Sequence, residues 1–343
     1  MNYEVVVVGG GIGGLTVAAL LAARGLNVCL FERQHQLGGC AARVEIAGHD
    51  FEPGIGFYTG WGATEIHARI FAELGSAAPE TQRAHPYYVR QQDGRDIQLF
   101  TTDDEFHEEL RSKFPDCAAD AITLYQTIDA SLKQSKKAAS GTLRSLLHRK
   151  SNPTFDISKS IASYLEHTSS SFRRFIDAQL RAVVGVSSES CPFGVASVAL
   201  ARLRANSYSI IGGPASVADR LAESFKKSGG TLQLNTPVLR IAYNDREEAV
   251  GVDLLSGERV TATRAIISNM TIWDTYGKLI GLRRTPADVK KRLSQTIATG
   301  AYLIYASMER GTSNVLPGDR FLVSTKGTVT DFTFCSTVCT AQA

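Results

Sequence analysis

The sequence predicts an α/β fold in which a doubly wound parallel sheet is interleaved with a mainly helical α+β domain. Four consecutive valines in "EVVVVGG" precede glycines, a helical pattern and a second apolar strand. A long, mostly helical stretch comes next, and short strands separated by turns return after residue 206. Strands that alternate with helices in this way form parallel sheets, because a crossover helix returns the chain to the same edge of the sheet.

The first elements form a compact βαβ unit. "EVVVVGG" is typical of a buried parallel strand, "IGGLTVAALLAARG" of a helix that ends at Gly25, and "NVCLFE" of a second strand. The three elements follow one another within about thirty residues, as a βαβ unit requires. The opening of the chain is therefore predicted to be the first half of a nucleotide-binding sheet.

The later elements are predicted more coarsely. From Thr64 to Leu203 the pattern is mostly helical. A helix is expected over 215–227, ending before a glycine pair, and three or four short strands should follow it, separated by "NDRE" and "LSGE" turns. One more helix is expected at 287–293, followed by a strand in "AYLIYASM".

Bulk properties exclude several classes of protein. The 343 residues suffice for one large domain or two ordinary ones, and a net charge of +3 gives no indication of a nucleic-acid partner. The six cysteines form no C-x-x-C pair, so we predict neither a metal site nor a disulfide framework. We see no signal peptide, and the apolar run 15–31 is interrupted by polar residues. We expect a cytoplasmic protein. The sequence does not indicate its oligomeric state.

A dinucleotide motif lies between the first strand and the first helix. Gly9, Gly11 and Gly14 form G-x-G-x-x-G in "GGGIGG", with Gly13 inside the motif. The first glycine permits a tight turn, the second lets the backbone approach a diphosphate, and the third lets the helix pack on the strand. The helix N-terminus adds N–H groups and a partial positive charge for the phosphates. This context predicts a Rossmann-like nucleotide site.

The stretch "FERQHQLGGC" indicates which dinucleotide is bound. Glu32 ends the second strand, 18 residues after Gly14 (32 − 14). A carboxylate there accepts hydrogen bonds from an adenosine ribose and repels a 2′-phosphate. Gly38 and Gly39 follow, and a small-residue loop at that point favours FAD; a plain surface turn is the alternative.

The sequence resembles a known family at these segments. "VVVVGGGIGGLTVAALLAARGLNVCLFERQHQLGGCAA" with "FEPGIGFYTG" resembles the FAD-dependent phytoene desaturase, carotenoid isomerase and retinol saturase group, relatives of the monoamine oxidases. "GGPASVADRLAESFKKSGGTLQLNTPVLRI" and "RAIISNMTIWDTYGKLIG" resemble the family's returning segments. The resemblance implies FAD as cofactor and the following contacts: Gly9, Gly11, Gly13, Gly14, Glu32, Arg33, Gly38, Gly39 and, through its backbone on the adenine side, Val238.

The resemblance also implies a domain order. We expect residues 1–62 and 206–275 to form the FAD-binding domain, with a mainly helical substrate and membrane-facing domain at 63–205. Residues 276–343 are expected to return to the substrate domain. Two departures stand out. Cys40 occupies a position where many members have arginine, and the family's last glycine-rich FAD segment has no counterpart here, which indicates a fragment or a divergent end.

No catalytic residue is assigned from the sequence. A flavin accepts or donates the hydride at N5, so the protein mainly positions the substrate carbon. Tyr58 and Trp61, with Gly54 and Gly60, are predicted either to line the flavin or to be ordinary loop packing. Cys40 has no resolving cysteine at C-x-x-C spacing, which favours a packing role over a redox thiol.

A basic segment from Lys133 to Lys150 has two interpretations. It carries six basic residues and no acid, and its leucines fall near one helical face. It could rest on an anionic membrane surface or be a solvated helix face.

The resemblance thus implies an FAD-dependent oxidoreductase for a hydrophobic polyene of the isoprenoid or carotenoid class, acting by desaturation, isomerisation or saturation. A flavin amine or protoporphyrinogen oxidase is one alternative. A truncated, non-catalytic nucleotide-binding protein is the other.

Overall fold

The computed structural model describes residues 2–46, 48–51, 58–83, 87–139, 156–205, 208–296, 320–323 and 332–335. The predicted "AYLIYASM" strand, most of the basic segment and Gly54 lie outside these residues. In chain order the strands are β1 (Asn2–Val8), β2 (Val28–Phe31), β3 (Val44–Ile46), β4 (His49–Phe51), β5 (Thr81–Arg83), β6 (Tyr87–Arg90), β7 (Asp96–Gln98), β8 (Tyr208–Ile210), β9 (Thr231–Gln233), β10 (Val238–Tyr243), β11 (Ala249–Leu254), β12 (Arg259–Ser268), β13 (Arg320–Val323) and β14 (Phe332–Cys335).

Eight helices are found among the described residues, and four of them follow one another between β7 and β8. They are α1 (Ile12–Ala23), α2 (Ile66–Glu73), α3 (Asp103–Lys113), α4 (Ala118–Ala139), α5 (Ser170–Val184), α6 (Phe193–Ala205), α7 (Ala215–Lys227) and α8 (Ala287–Gln295). Shorter helical turns cover Gly39–Ala41, Ile161–Tyr164, Ile272–Asp274 and Thr275–Leu279.

The larger sheet has the strand order β10-β11-β12-β1-β2-β9. Strands β12, β1, β2 and β9 run parallel, while β10, β11 and the first half of β12 form an antiparallel meander. Val8 aligns with Phe31 on one side and with Ser268 on the other. The carboxyl ends of the parallel strands therefore meet at one edge, where ligands bind in sheets of this type. The α/β class with a Rossmann-like parallel sheet is confirmed.

The sheet is covered on both faces, which explains the unbroken valine run of β1. Val5 and Val7 pack towards α1 and α7, whereas Val6 and Val8 pack towards the meander. Side chains alternate faces along a strand, so a strand buried on both sides must be apolar at every position. Phe225 of α7 is fully buried on the helical face. Truncating so large a buried ring typically costs about 3–5 kcal/mol.

A second core surrounds the helices of the middle of the chain. Helices α3 to α6 pack with β6 and β7, and Leu322 of β13 joins the same cluster. Helix α5 shows why the sequence sets these boundaries: Ser169 Oγ accepts from the Phe172 N–H at 3.2 Å, and Gly185 ends the helix at φ +79°. The domain boundaries remain predictions.

The prediction of a mostly helical stretch from Thr64 to Leu203 misses three strands. β6 and β7 form a hairpin that joins β13 and β14 in a four-stranded sheet, and β5 pairs with β8. The hairpin turn contains Asp93 followed by Gly94, whose φ is +82°. This Asp-Gly dipeptide is a strong turn signal between two short runs that alternate apolar and polar residues.

Candidate FAD-binding site

The glycine loop connects β1 to α1 and is held against the end of β2. The Gly9 N–H donates to the Phe31 carbonyl at 2.8 Å, and Gly9 has φ +103°, which favours glycine. A Cβ on Gly14 would lie 2.0 Å from the Gly9 carbonyl oxygen, so no larger residue fits there. Gly9 thus adopts a turn conformation, and Gly14 permits the close approach of α1 to the end of β1.

The N-terminus of α1 is open for an anion. Gly11 precedes the helix and provides no side-chain cap, and the first turn contains no acidic residue. The first N–H groups of a helix have no partner within the helix, and they carry a partial positive charge. A phosphate placed at this loop would meet donors and no competing carboxylate of the helix itself.

The side chain of Glu32 holds the glycine loop against the end of β2, a contact that we call the Glu32 clasp. Its Oε2 accepts from the Gly10 N–H at 2.6 Å and its Oε1 from the Gln34 N–H at 2.8 Å. The side chain is buried, with the residue 8% exposed. A carboxylate has about four acceptor positions, so two remain for other donors such as ribose hydroxyl groups. The predicted ribose acceptor is thus also a structural link between β2 and the glycine loop.

The backbone of Glu32 is fixed as firmly as its side chain. Its N–H donates to the Gln233 carbonyl at 2.9 Å, and its carbonyl accepts from the Thr236 N–H at 2.9 Å. The Asn235 N–H also donates to the Gln34 carbonyl at 3.0 Å. The segment after β9 therefore lies beside Glu32, next to the start of β10.

The structure brings Gly38 and Gly39 onto the glycine loop. The Gly38 N–H donates to the Gly10 carbonyl at 2.9 Å, and Gly38 has φ +105°. A Cβ on Gly39 would lie 3.2 Å from the Gly11 Cα, which is tighter than most contacts of this kind. The two glycine segments thus lie together. Cys40 is exposed within the short turn that follows.

Arg33 directly follows Glu32, and Val238 lies two residues after Thr236, whose N–H donates to the Glu32 carbonyl. Arg33 is exposed and near Asp274, whose pKa is lowered chiefly by its bond with Lys278, with a smaller contribution from Arg33. Val238 begins β10 and pairs with Leu254 of β11. A pocket of about 270 Å³ lies beside it; its lining includes Phe31, Thr236, Pro237, Leu254 and Val260.

Tyr58 and Trp61, for which flavin lining and loop packing were the two interpretations, are engaged in packing contacts. The Trp61 ring stacks on the His67 ring with centroids 4.1 Å apart, and Trp61 packs against the core under α1. Burial lowers the pKa of His67. The Tyr58 carbonyl accepts from the Tyr208 N–H at 2.9 Å, which joins this loop to β8. These contacts favour the packing interpretation for Trp61.

Asn269 was not singled out from the sequence, although it lies at the same loop. It directly follows β12, and its N–H donates to the Val8 carbonyl at 2.8 Å. Its side chain is exposed and lies against Gly11, Gly13 and Gly14. The parallel pairing of β12 with β1 brings it there, and no local motif announces that pairing.

Other chemistry is sparse among the described residues. No group of three or more His, Cys, Asp or Glu side chains there could hold a metal ion. Burial raises the pKa of Cys29 to about 12, so this thiol stays protonated at neutral pH. No helix in the described part of the chain is long and apolar enough to cross a membrane.

Comparison with known proteins relates this site to a family. The model of flavin containing amine oxidoreductases matches residues 12–336. The chain is 27% identical over 325 residues to the all-trans-retinol 13,14-reductase of Danio rerio, covering 85% of this chain and 52% of the relative. It is 26% identical over 342 residues to the chloroplastic prolycopene isomerase of Daucus carota, covering 93% and 54%.

The fold is shared with solved structures. An oxidoreductase from Methanosarcina mazei superposes with a TM-score of 0.60 at 19% identity, covering 86% of this chain and 64% of that one. The chain spans about half the length of the curated relatives that it matches. The family match extends over most of the chain; it begins at the first residue of α1 and includes Glu32. The chain therefore belongs to the flavin containing amine oxidoreductase family, and FAD is the cofactor that this membership implies.

Proposed function

We propose that the chain is an FAD-dependent oxidoreductase that acts on an isoprenoid polyene by desaturation, isomerisation or saturation. The observation that carries the cofactor half is the Glu32 clasp, in which one carboxylate joins the end of β2 to the glycine loop at 2.6 Å. The substrate half rests on the relatives, which are named for reactions of retinol and prolycopene.

The chain's own residues bind and orient the cofactor in this proposal. The loop Gly9–Gly14 and the α1 N-terminus receive the diphosphate, and Glu32 accepts from the adenosine ribose. Gly38 and Gly39 let the backbone pass close to the cofactor, and Arg33 and the Val238 backbone flank the adenosine. When bound, FAD supplies hydride acceptance or donation at its N5 atom.

A hydrophobic substrate is taken from a membrane surface in this proposal, and the basic segment from Lys133 to Lys150 is proposed as the contact with that surface. Helix α4 continues to Ala139, so its described part includes the start of this segment. Leu132 packs against the helical core, whereas Lys133 is exposed. A leucine towards the core and a lysine towards solvent suit either a membrane surface or a solvated face.

Two other functions are set against this one. The family description includes amine oxidation, so a flavin amine or protoporphyrinogen oxidase is a second candidate. A nucleotide-binding protein without activity is a third candidate.

The direction of electron flow distinguishes these functions in anaerobic single-turnover experiments. The purified protein is reconstituted with FAD and mixed with a carotenoid or retinoid in detergent micelles, an alkyl amine, or protoporphyrinogen. Desaturation bleaches the oxidised flavin, saturation restores colour to flavin reduced with dithionite, and isomerisation changes only the polyene, as seen by chromatography. A flavin bleached by the amine or protoporphyrinogen and indifferent to every polyene would overturn the proposed substrate class.

Cys40→Ser serves as the control in this assay. Cys40 is exposed and stands one residue beyond the glycine pair. The proposal expects the same single-turnover rate for this variant. A complete loss of turnover with FAD still bound would place a thiol step in the mechanism and contradict the assignment of chemistry to the flavin.

A further inference from the structure

We propose that the side-chain amide of Asn269 binds the diphosphate of the cofactor across the glycine loop. This inference rests on the proposed function, because it adds a residue to the same FAD site. The residue directly follows β12 and is far in sequence from the dinucleotide motif, and the inference names an amide donor as the contact.

The backbone of Asn269 is held in place on both sides. Its N–H donates to the Val8 carbonyl at 2.8 Å, at the point where β1 ends and the glycine loop begins. On the other side, Ser268 Oγ accepts from the Met270 N–H at 3.3 Å and lies 2.7 Å from the Thr275 Oγ1. A short side chain on so constrained a backbone has few positions that it can reach.

The amide lies directly over the glycine loop. A Cβ on Gly13 would fall 2.6 Å from Asn269 Oδ1, and a Cβ on Gly11 would fall 2.9 Å from Nδ2. A Cβ on Gly14 would lie 3.2 Å from the same Nδ2. Gly13 occupies a variable position of the G-x-G-x-x-G pattern, and this contact gives a physical reason for a glycine there: the Asn269 amide occupies the space that a side chain would need.

The chemistry of the amide suits an anion at this place. Asparagine carries two N–H donors and no charge, so it adds donors beside the α1 N-terminus without repelling a diphosphate. Among the described residues, no hydrogen bond involves this amide, and the side chain is exposed at the mouth of the loop. Helix α1 has no side-chain cap of its own. Asn269 thus supplies, from another strand, the polar side chain that the loop lacks.

The test replaces the donor with a charge. Asn269→Asp keeps the size of the side chain and turns the donor nitrogen into a carboxylate oxygen that faces the diphosphate. Affinities for FAD, ADP and adenosine are measured by flavin fluorescence and calorimetry. We expect the variant to bind FAD and ADP at least tenfold more weakly, about 1.4 kcal/mol, and adenosine almost as well as the wild type. Asn269→Ala, which only removes donors, should fall between the two.

Asn27→Asp is the matched control, because it makes the same change of charge at the opposite end of the sheet. Asn27 is exposed; its backbone N–H donates to the Glu4 carboxylate, and its side-chain amide donates, among the described residues, only to the Asn2 carbonyl, at 3.4 Å. Thermal unfolding of each variant without ligand reports whether the loop still folds. If Asn269→Asp does not fold, Asn269→Ala alone decides the question.

The outcomes separate this inference from the proposed function. Unchanged ADP affinity in Asn269→Asp would overturn the inference, as would an equal loss of ADP and adenosine binding, which would indicate a distorted loop. Binding of ADP but not FAD by the wild type would overturn the flavin function. The ADP affinities of the variants would then still test whether Asn269 contacts the diphosphate. A wild-type protein that binds neither ligand would overturn both.

Discussion

Replacing Glu32 with glutamine keeps the shape of the side chain but replaces one hydrogen-bond acceptor, a carboxylate oxygen, with a donor NH2 group. In the wild type, both carboxylate oxygens accept from backbone N–H groups, at 2.6 Å from Gly10 and 2.8 Å from Gln34. The glutamine amide has one oxygen and one NH2 group, so one of these backbone donors must face another donor. A residue that is 8% exposed leaves little room for water to replace the lost acceptor.

The expected cost follows from these two bonds. Hydrogen bonds to charged groups contribute about 1.5–3 kcal/mol each and neutral ones about 0.5–1.5, and an unsatisfied buried donor costs about 1–3. One bond is lost and the other loses its charge, so Glu32→Gln should reduce the free energy of unfolding by about 2–4 kcal/mol without any ligand. Glu32→Ala should be destabilised similarly and should also bind FAD more weakly.

Urea unfolding, followed by circular dichroism, measures this loss as a lower midpoint at an unchanged slope. Glu166→Gln is the control, because Glu166 is exposed in the helical part of the chain; surface substitutions of this kind usually change stability by less than about 0.5 kcal/mol. A Glu32→Gln protein with the same urea midpoint as this control would refute the claim that the Glu32 carboxylate stabilises the glycine loop.

Three further predictions test other contacts. Gly14→Ala places a Cβ 2.0 Å from the Gly9 carbonyl oxygen, so it should abolish FAD binding or soluble expression; ligand titration of any soluble protein that retains wild-type affinity would contradict the packing. Burial lowers the pKa of His67, so the imidazole binds a proton more readily in the unfolded chain, and the stability of the fold should decrease as the pH drops below about 6.5. Urea midpoints measured from pH 8 to 5 should decrease less steeply with falling pH in His67→Phe than in the wild type. An equally steep decrease in both proteins would contradict the role of His67. Burial raises the pKa of Asp129, and the positive charge of Arg204 opposes that rise, so Arg204→Met should raise the pKa of Asp129 further. The variant should then lose more stability relative to wild type at pH 7, where the carboxyl of the unfolded chain is ionised, than at pH 4. Equal losses at the two pH values would argue against the pairing of Asp129 with Arg204.

The elements that the sequence predicts well are those with strong local signals. β1, α1 and β2 follow from a valine run, a glycine motif and an apolar stretch, and Ala215–Lys227 is found within the predicted limits because its apolar face repeats at helical spacing before a glycine pair. Glu32 follows from its fixed distance to the motif.

What the sequence misses depends on pairing between distant segments. Asn269 reaches the glycine loop only because β12 lies beside β1, and β13 reaches β6 only through a parallel pairing across most of the chain. Neither pairing leaves a local pattern. Trp61 shows a different limit of sequence-based prediction. An aromatic residue in a glycine-rich loop can contact a ligand or stack on another ring, and the sequence does not distinguish the two. In the structure, His67 on α2 lies where its ring stacks on Trp61.

The account depends most directly on whether the glycine loop and Glu32 hold FAD, and the visible spectrum of the reconstituted protein tests this. The purified chain is incubated with excess FAD, freed of unbound cofactor and scanned before and after dithionite. We predict about one FAD per chain, with flavin absorbance that dithionite bleaches, and a marked loss of bound FAD in Glu32→Ala. A colourless wild-type protein, or a Glu32→Ala variant that retains the full complement of FAD, would contradict the account.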